Sequence, residues 1–193
     1  HLQQLSKAMD IIREGERREY DAVALGKRTI ARLEDLLERS TTKEALEKGT
    51  RVPVWFCRPP GETSTGVLLC VDGSRASYHM ADHVGRMLQL EPSQRITLFR
   101  TTQKSGPGKG DPLENGRNIL RSRGIPQENI RTETTESRHP GRSIAEKAES
   151  EGYAVVAVGR IGKGAGGFRE LFLGSTSRHL FRELTTRTLW VCR

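Results

Sequence analysis

The sequence contains few cysteines, few aromatic residues and no long apolar run. Three cysteines among 193 residues are too few for a disulfide framework or a zinc-binding cluster. Aromatic residues make up 5% of the chain, which leaves no stacking platform for single-stranded nucleic acid. No apolar run approaches the roughly 18 residues that a transmembrane helix needs. We therefore expect a cytoplasmic protein that binds neither nucleic acid nor a membrane.

The charge is basic but mixed in sign. Lysine and arginine number 32 against 24 acidic residues, which gives a formal net charge of +8. A basic surplus suits phosphorylated ligands. Because acidic residues are interspersed with the basic ones along the whole chain, an ordinary solvated surface also explains this surplus of positive charge.

Two segments of the chain resemble each other. Residues 20–26 (YDAVALG) match residues 153–159 (YAVVAVG) at an offset of 133, and residues 55–58 (WFCR) match residues 190–193 (WVCR) at an offset of 135. The change of offset places a two-residue insertion in the second copy, at about residues 164–167. Each copy has the pattern helix-strand-helix-strand, so we expect an internal duplication.

The second copy alone has a full upstream half. Residues 66–193 have the pattern βαβαβαβαβ, which predicts an α/β fold with a parallel sheet between layers of helices. Residues 1–58 contain only the end of such a domain, and residues 59–65 (PPGETST) form a linker. The predicted strands are 22–25, 53–57, 66–72, 95–101, 130–135, 154–158 and 189–192, and helices are predicted at 30–48, 77–90, 112–123 and 168–184.

Candidate binding residues follow two strands of the predicted sheet. Asp72, Gly73 and Ser74 end the first strand of residues 66–193, and a glycine-rich run over residues 159–167 follows the fourth. In an open parallel sheet, ligands bind beyond the carboxyl ends of the strands. Glycines let backbone amides surround a phosphate, and Arg160 and Lys163 add positive charge. The run matches neither the Walker A pattern nor the dinucleotide-binding fingerprint.

These motifs resemble those of the universal stress protein family. The resemblance is carried by residues 71–74 (VDGS) and by Gly159-x-x-Gly162 followed later by Gly174-Ser175. ATP-binding members of that family have nine residues between the G-x-x-G and G-[ST] motifs, whereas eleven separate Gly162 from Gly174. Counting from Gly164 gives nine, so the extra pair coincides with the insertion found from the repeat.

The resemblance implies an adenine-nucleotide site, with ATP, ADP or AMP as the ligand and Mg²⁺ carried by the phosphates. Asp72 would lie near the adenine and ribose, Val71 would line the base pocket, and the glycine and hydroxyl residues would hold the phosphates. The full set of implied binding residues is Val71, Asp72, Gly73, Ser74, Gly159, Arg160, Gly162, Lys163, Gly164, Gly174, Ser175 and Thr176. No catalytic residue and no protein metal ligand is implied.

The resemblance also implies an open five-stranded sheet of order 3-2-1-4-5. Family members pair through the last strand, so residues 53–57 and 189–192 should pair antiparallel and form an intramolecular pseudo-dimer. A homodimer is a further expectation. In the first copy, Thr29 replaces the second glycine of the G-x-x-G motif, and Arg39-Ser40 replaces the Gly-Ser pair. These replacements predict a degenerate module that does not bind a nucleotide.

Three functions remain open at this stage. The first is nucleotide binding in a stress-response or signalling role without efficient catalysis, since no general base is positioned for hydrolysis. The alternative is a nucleotide-free protein-interaction module with a decayed site, which the insertion favours. An ATP-hydrolysing enzyme is the third. His139 could reach a phosphate, but we favour the simpler explanation that it belongs to a helix start, beside Arg138 and Pro140.

Overall fold

The computed structural model describes residues 2–30, 51–59, 61, 64–91, 93–102, 111–160 and 174–193. In chain order the elements are α1 (Leu2–Arg17), β1 (Val23–Leu25), β2 (Val54–Phe56), β3 (Val67–Cys70), α2 (Arg75–Leu88), β4 (Ile96–Thr102), α3 (Pro112–Ser122), a 3-10 turn (Gln127–Asn129), β5 (Ile130–Glu136), α4 (Pro140–Ser150), β6 (Val155–Gly159), α5 (Ser175–Glu183) and β7 (Thr188–Cys192). Most of the helix predicted over residues 30–48 lies outside the described residues.

The strands form a single mixed sheet in the order β1-β2-β7-β6-β3-β4-β5. Every neighbouring pair is parallel except β2 and β7, which are antiparallel. The prediction of an α/β fold is confirmed, and so is the antiparallel pairing of β2 with β7. The five strands of residues 66–193 lie in the order β5-β4-β3-β6-β7, which is the predicted order 3-2-1-4-5. The whole sheet has seven described strands and not five, because β1 and β2 extend it beyond β7.

Helices cover both faces of this sheet. Leu68 and Leu69 are neighbours in β3 and point to opposite faces, and each belongs to a different apolar cluster. The cluster around Leu69 includes Met80, Val84, Leu113 and Leu120 of α2 and α3, and that around Leu68 includes Ile12, Ile144, Leu180 and Phe181 of α1, α4 and α5. Within the ranges given above, no helix is long and apolar enough to cross a membrane.

Helices α2 to α5 each follow a parallel strand in the chain, and local sequence signals fix three of their starts. The Ser74 hydroxyl accepts the Ser77 N–H and caps α2, which therefore begins two residues before the predicted position. The Asp111 carboxylate accepts the Leu113 N–H and caps α3. Pro140 opens α4, a position where its missing N–H is not needed. The helix starts therefore gather at one edge of the sheet, where ligands bind in folds of this kind.

The register of the sheet agrees with the internal repeat. In β1 and β2, Ala24 lies opposite Trp55, and the residues equivalent to them at offsets of 133 and 135, Ala157 and Trp190, lie opposite each other in β6 and β7. Across the antiparallel pair, Trp55 lies opposite Trp190 itself. The two tryptophans that are equivalent in the sequence repeat are therefore cross-strand partners.

The rings of Trp55, Trp190 and His83 form a cluster at this pair of opposed residues. Trp55 and Trp190 are stacked, with centroids 4.3 Å apart and planes 6° from parallel. Trp55 Nε1 donates a hydrogen bond to His83 Nε2 at 3.0 Å. Burial, with a smaller contribution from the charge of Arg86, lowers the pKa of His83 to about 4. The imidazole is therefore neutral near pH 7, and its Nε2 can accept the indole proton.

Candidate functional site

The turn after β3 holds the first group of predicted residues. The Asp72 carboxylate accepts the Ser74 N–H at 2.9 Å, and Gly73 has a φ of 81°, a conformation that favours glycine. Val71 is 2% exposed and its N–H donates to the Phe99 carbonyl at 2.9 Å, so it belongs to the sheet core. The turn leaves Asp72 exposed at the carboxyl edge.

The end of β6 lies directly beside this turn. Cys70 of β3 is in register with Val158, so Asp72, which follows β3, lies beside Gly159, which ends β6. A Cβ at Gly159 would lie 2.7 Å from the Ser77 backbone nitrogen and 2.8 Å from the carbonyl carbon of Ala76. Glycine is therefore needed for β6 to pass the first turn of α2, and the structure brings these two predicted groups together.

Arg160 follows Gly159 and points inward. Its side chain is 3% exposed, and its backbone N–H donates to the Cys192 carbonyl at 2.7 Å. Burial raises the pKa of the Cys192 thiol to about 11, and the positive charge of Arg160 opposes that rise. Arg160 is therefore a buried residue, whereas the sequence analysis predicted that it adds positive charge to a phosphate-binding run.

Gly174 comes directly before α5. A Cβ at this position would collide with the Arg160 carbonyl oxygen. Gly174 is the N-cap residue of α5, and its carbonyl accepts the Ser177 hydroxyl at 3.2 Å. Ser175 and Thr176 form the first turn of the helix, whose leading N–H groups have no partner within the helix. Gly162, Lys163 and Gly164 lie outside the described residues.

A cavity of 370 Å³ opens at the start of α5. Ser175 and Thr176 line one side, and the junction between β5 and α4 lines the other. The complete lining is Arg138, His139, Pro140, Gly141, Arg142, Ser175, Thr176 and His179. Among the described residues that line it there are cationic, hydroxyl and imidazole groups and no carboxylate, so the cavity suits an anion.

The cavity exists because two helix starts approach each other closely. A Cβ at Gly141, in the first turn of α4, would lie 2.8 Å from Cδ2 of His179 and 3.0 Å from its Cβ. The glycine lets the ring of His179 lie against α4. As a result, Pro140 of α4 and Ser175 of α5 line the same cavity. Each helix start carries partial positive charge, and here two of them face one cavity.

The comparison with protein-family models gives one match. The model described as the universal stress protein family matches residues 65–191. The chain belongs to the universal stress protein family. No protein with a curated description matches the chain.

Solved structures share the fold of this family member at low sequence identity. A universal stress protein in complex with cAMP is 16% identical with a TM-score of 0.52, and the alignment covers 67% of this chain and 96% of that one. A universal stress protein from Archaeoglobus fulgidus is 14% identical with a TM-score of 0.50, covering 67% and 98%. A functionally unknown protein from Pseudomonas aeruginosa PAO1 is 16% identical with a TM-score of 0.54, covering 94% of this chain and 66% of that one.

The described part of the chain contains no group of three or more histidine, cysteine, aspartate or glutamate residues that could hold a metal ion. The hydroxyls of Ser175 and Thr176 are the neutral oxygens of the cavity lining. Mg²⁺ commonly keeps its waters and shares phosphate oxygens with a nucleotide. The residues present fit a phosphate that brings its own Mg²⁺ and do not form a separate metal cage.

Sequence reasoning missed most of the cavity wall. Arg138, Pro140, Gly141 and Arg142 were not among the predicted binding residues, and the favoured explanation of His139 was its place at a helix start. The sequence RHPGR over residues 138–142 does carry a signal, since two arginines flank a proline that opens a helix. What the sequence could not show is that α5 begins beside it.

Proposed function

We propose that this chain binds an adenine nucleotide, ATP in the first instance, at the carboxyl edge of the sheet, in a stress-response or signalling role. The observation that carries the proposal is the anion-suited cavity at the start of α5, whose lining includes Ser175 and Thr176. A helix start with free N–H groups and two hydroxyls is a common binding site for phosphate. The solved family member in complex with cAMP supports a nucleotide as the ligand.

The adenine and ribose would lie toward Asp72. This side chain is exposed at the carboxyl end of β3, next to β6. Gly159, at the end of β6, packs on the start of α2, and Gly174, just before α5, packs on the Arg160 carbonyl. We propose that the nucleotide lies along this edge of the sheet, with its base toward β3 and its phosphates at the start of α5.

Mg²⁺ would enter with the phosphates, because the cavity lining offers hydroxyls and no carboxylate among the described residues. We propose binding without efficient hydrolysis as the function, because the arginines and hydroxyls of this lining are groups that hold phosphate oxygens.

A substitution at Ser175 tests this proposal. Ser175→Asp places a carboxylate in the first turn of α5. There its negative charge interacts favourably with the helix dipole, so we expect the fold to be preserved. The same carboxylate repels phosphate, so we expect ATP affinity to fall by at least about 10-fold. Isothermal titration of the full chain with ATP and Mg²⁺ measures the change.

Asn118→Asp is the matched control. Asn118 is exposed on α3, on the opposite face of the sheet, and the substitution makes the same change of charge with no change of shape. It should bind ATP as the unmodified chain does. Equal affinity in the unmodified chain and in Ser175→Asp, or no binding in either, would contradict the proposal.

We further propose that residues 1–58 are the end of a second, degenerate module, joined to residues 66–193 by the linker 59–65. Support comes from the register. Under the offset of 135, the pair Val54 and Val191 converts into the pair Leu189 and Phe56, as a pseudo-twofold axis requires. Because β7 already pairs with β6 and β2, a homodimer of this chain would need a surface other than the β7 edge.

A further inference from the structure

We infer that Arg138 and Arg142, at the junction of β5 and α4, form a second wall of the nucleotide site that receives the terminal phosphate of a polyphosphate chain. The inference rests on the proposed nucleotide site and specifies the class of ligand that it prefers. A nucleoside triphosphate or diphosphate should bind more tightly than a cyclic monophosphate.

The first argument is position. The cavity lies between the β5–α4 junction and the first turn of α5, and both segments contribute side chains to it. A phosphate held by Ser175 and Thr176 therefore has Arg138 and Arg142 across the same 370 Å³ space. A chain of phosphates that begins at α5 extends toward the two arginines.

The second argument is charge. Arg138 is exposed to solvent, and Arg142 Nε donates to the Glu146 carboxylate at 2.8 Å. Since a guanidinium carries five N–H donors, this ion pair leaves Arg142 able to bind a further anion. Glu146 lies outside the cavity lining, so the charge that faces the cavity from this junction is positive.

The third argument is the chemistry of the ligand. A terminal phosphate carries nearly two negative charges and three oxygens, which suit two arginines in bidentate contact. A cyclic phosphodiester carries one negative charge and presents no terminal group. A cavity lined by two arginines and two helix starts should therefore bind ATP or ADP more tightly than cAMP.

The test compares ligands and variants of the full chain. Affinities for ATP, ADP, cAMP and inorganic triphosphate are measured by isothermal titration for the unmodified chain and for Arg138→Gln/Arg142→Gln. The control is Arg95→Gln/Arg121→Gln, which removes two exposed arginines at the amino edge of the sheet, and thermal unfolding verifies that every variant is folded.

We expect the unmodified chain to bind ATP at least about 10-fold more tightly than cAMP. The cavity double variant should lose about 10- to 100-fold in ATP affinity while cAMP binding changes by less than about 3-fold. The control double variant should behave as the unmodified chain does.

The outcomes separate this inference from the proposed function. If cAMP binds as tightly as ATP, or if the cavity double variant keeps its ATP affinity, the inference is wrong and nucleotide binding stands. If only inorganic triphosphate binds and its binding needs the two arginines, the cationic wall is supported and the nucleotide proposal fails. If no ligand binds the unmodified chain, both are wrong.

Discussion

Trp190→Ala should destabilise the protein by about 3–5 kcal/mol, the usual cost of removing a buried tryptophan. Trp190 is 6% exposed and lies in β7, between β6 and β2. Its ring stacks on Trp55 and meets His83 edge to face at a centroid distance of 5.7 Å. Alanine would leave a cavity where the two halves of the sheet join, and urea denaturation measures the loss.

Trp190→Phe is the matched control for this prediction. It retains an aromatic ring for the stack on Trp55 while removing part of the volume, so its cost should be clearly smaller than that of alanine. A loss of less than about 1 kcal/mol for Trp190→Ala would show that the joint between β2 and β7 contributes little to the stability of the fold.

Gly159→Ala should cost about 1–3 kcal/mol, because overpacking against a fixed backbone forces local displacement. The new Cβ would lie 2.7 Å from the Ser77 nitrogen and 2.8 Å from the Ala76 carbonyl carbon. Neither atom belongs to a flexible side chain, so the first turn of α2 must shift. Thermal or urea unfolding of the variant gives the size of the effect.

Gly26→Ala is the matched control for Gly159→Ala. Gly26 is the residue equivalent to Gly159 in the repeat, yet a Cβ there would meet nothing within 4 Å. We expect it to change stability by less than about 1 kcal/mol. Equal losses for the two variants would contradict the close packing of β6 on α2.

Sequence reasoning predicted best where a local pattern decides the structure. The predicted strand 66–72 contains β3, and the predicted helix 112–123 agrees with α3 to within one residue. The resemblance to the family predicted the antiparallel pairing of residues 53–57 with residues 189–192, and this pairing joins β1 and β2 to the sheet of residues 66–193.

The candidate site was only partly predictable, since it depends on contacts between distant segments. Ser175 and Thr176 could be found from their motif. The opposite wall became visible only through the packing of Gly141 on His179, which joins α4 to α5. The burial of Arg160 and its backbone hydrogen bond to Cys192 of β7 are features that no property of a glycine-rich run reveals.

Nucleotide binding by this universal stress protein is tested most directly by denaturing the purified chain and identifying what it releases by chromatography and mass spectrometry. Stoichiometric ATP, or a related adenine nucleotide, should come from the unmodified chain and be absent from Ser175→Asp. An empty chain that also takes up no added ATP with Mg²⁺ would contradict the account and favour a protein-interaction role for the paired β2 and β7 segments.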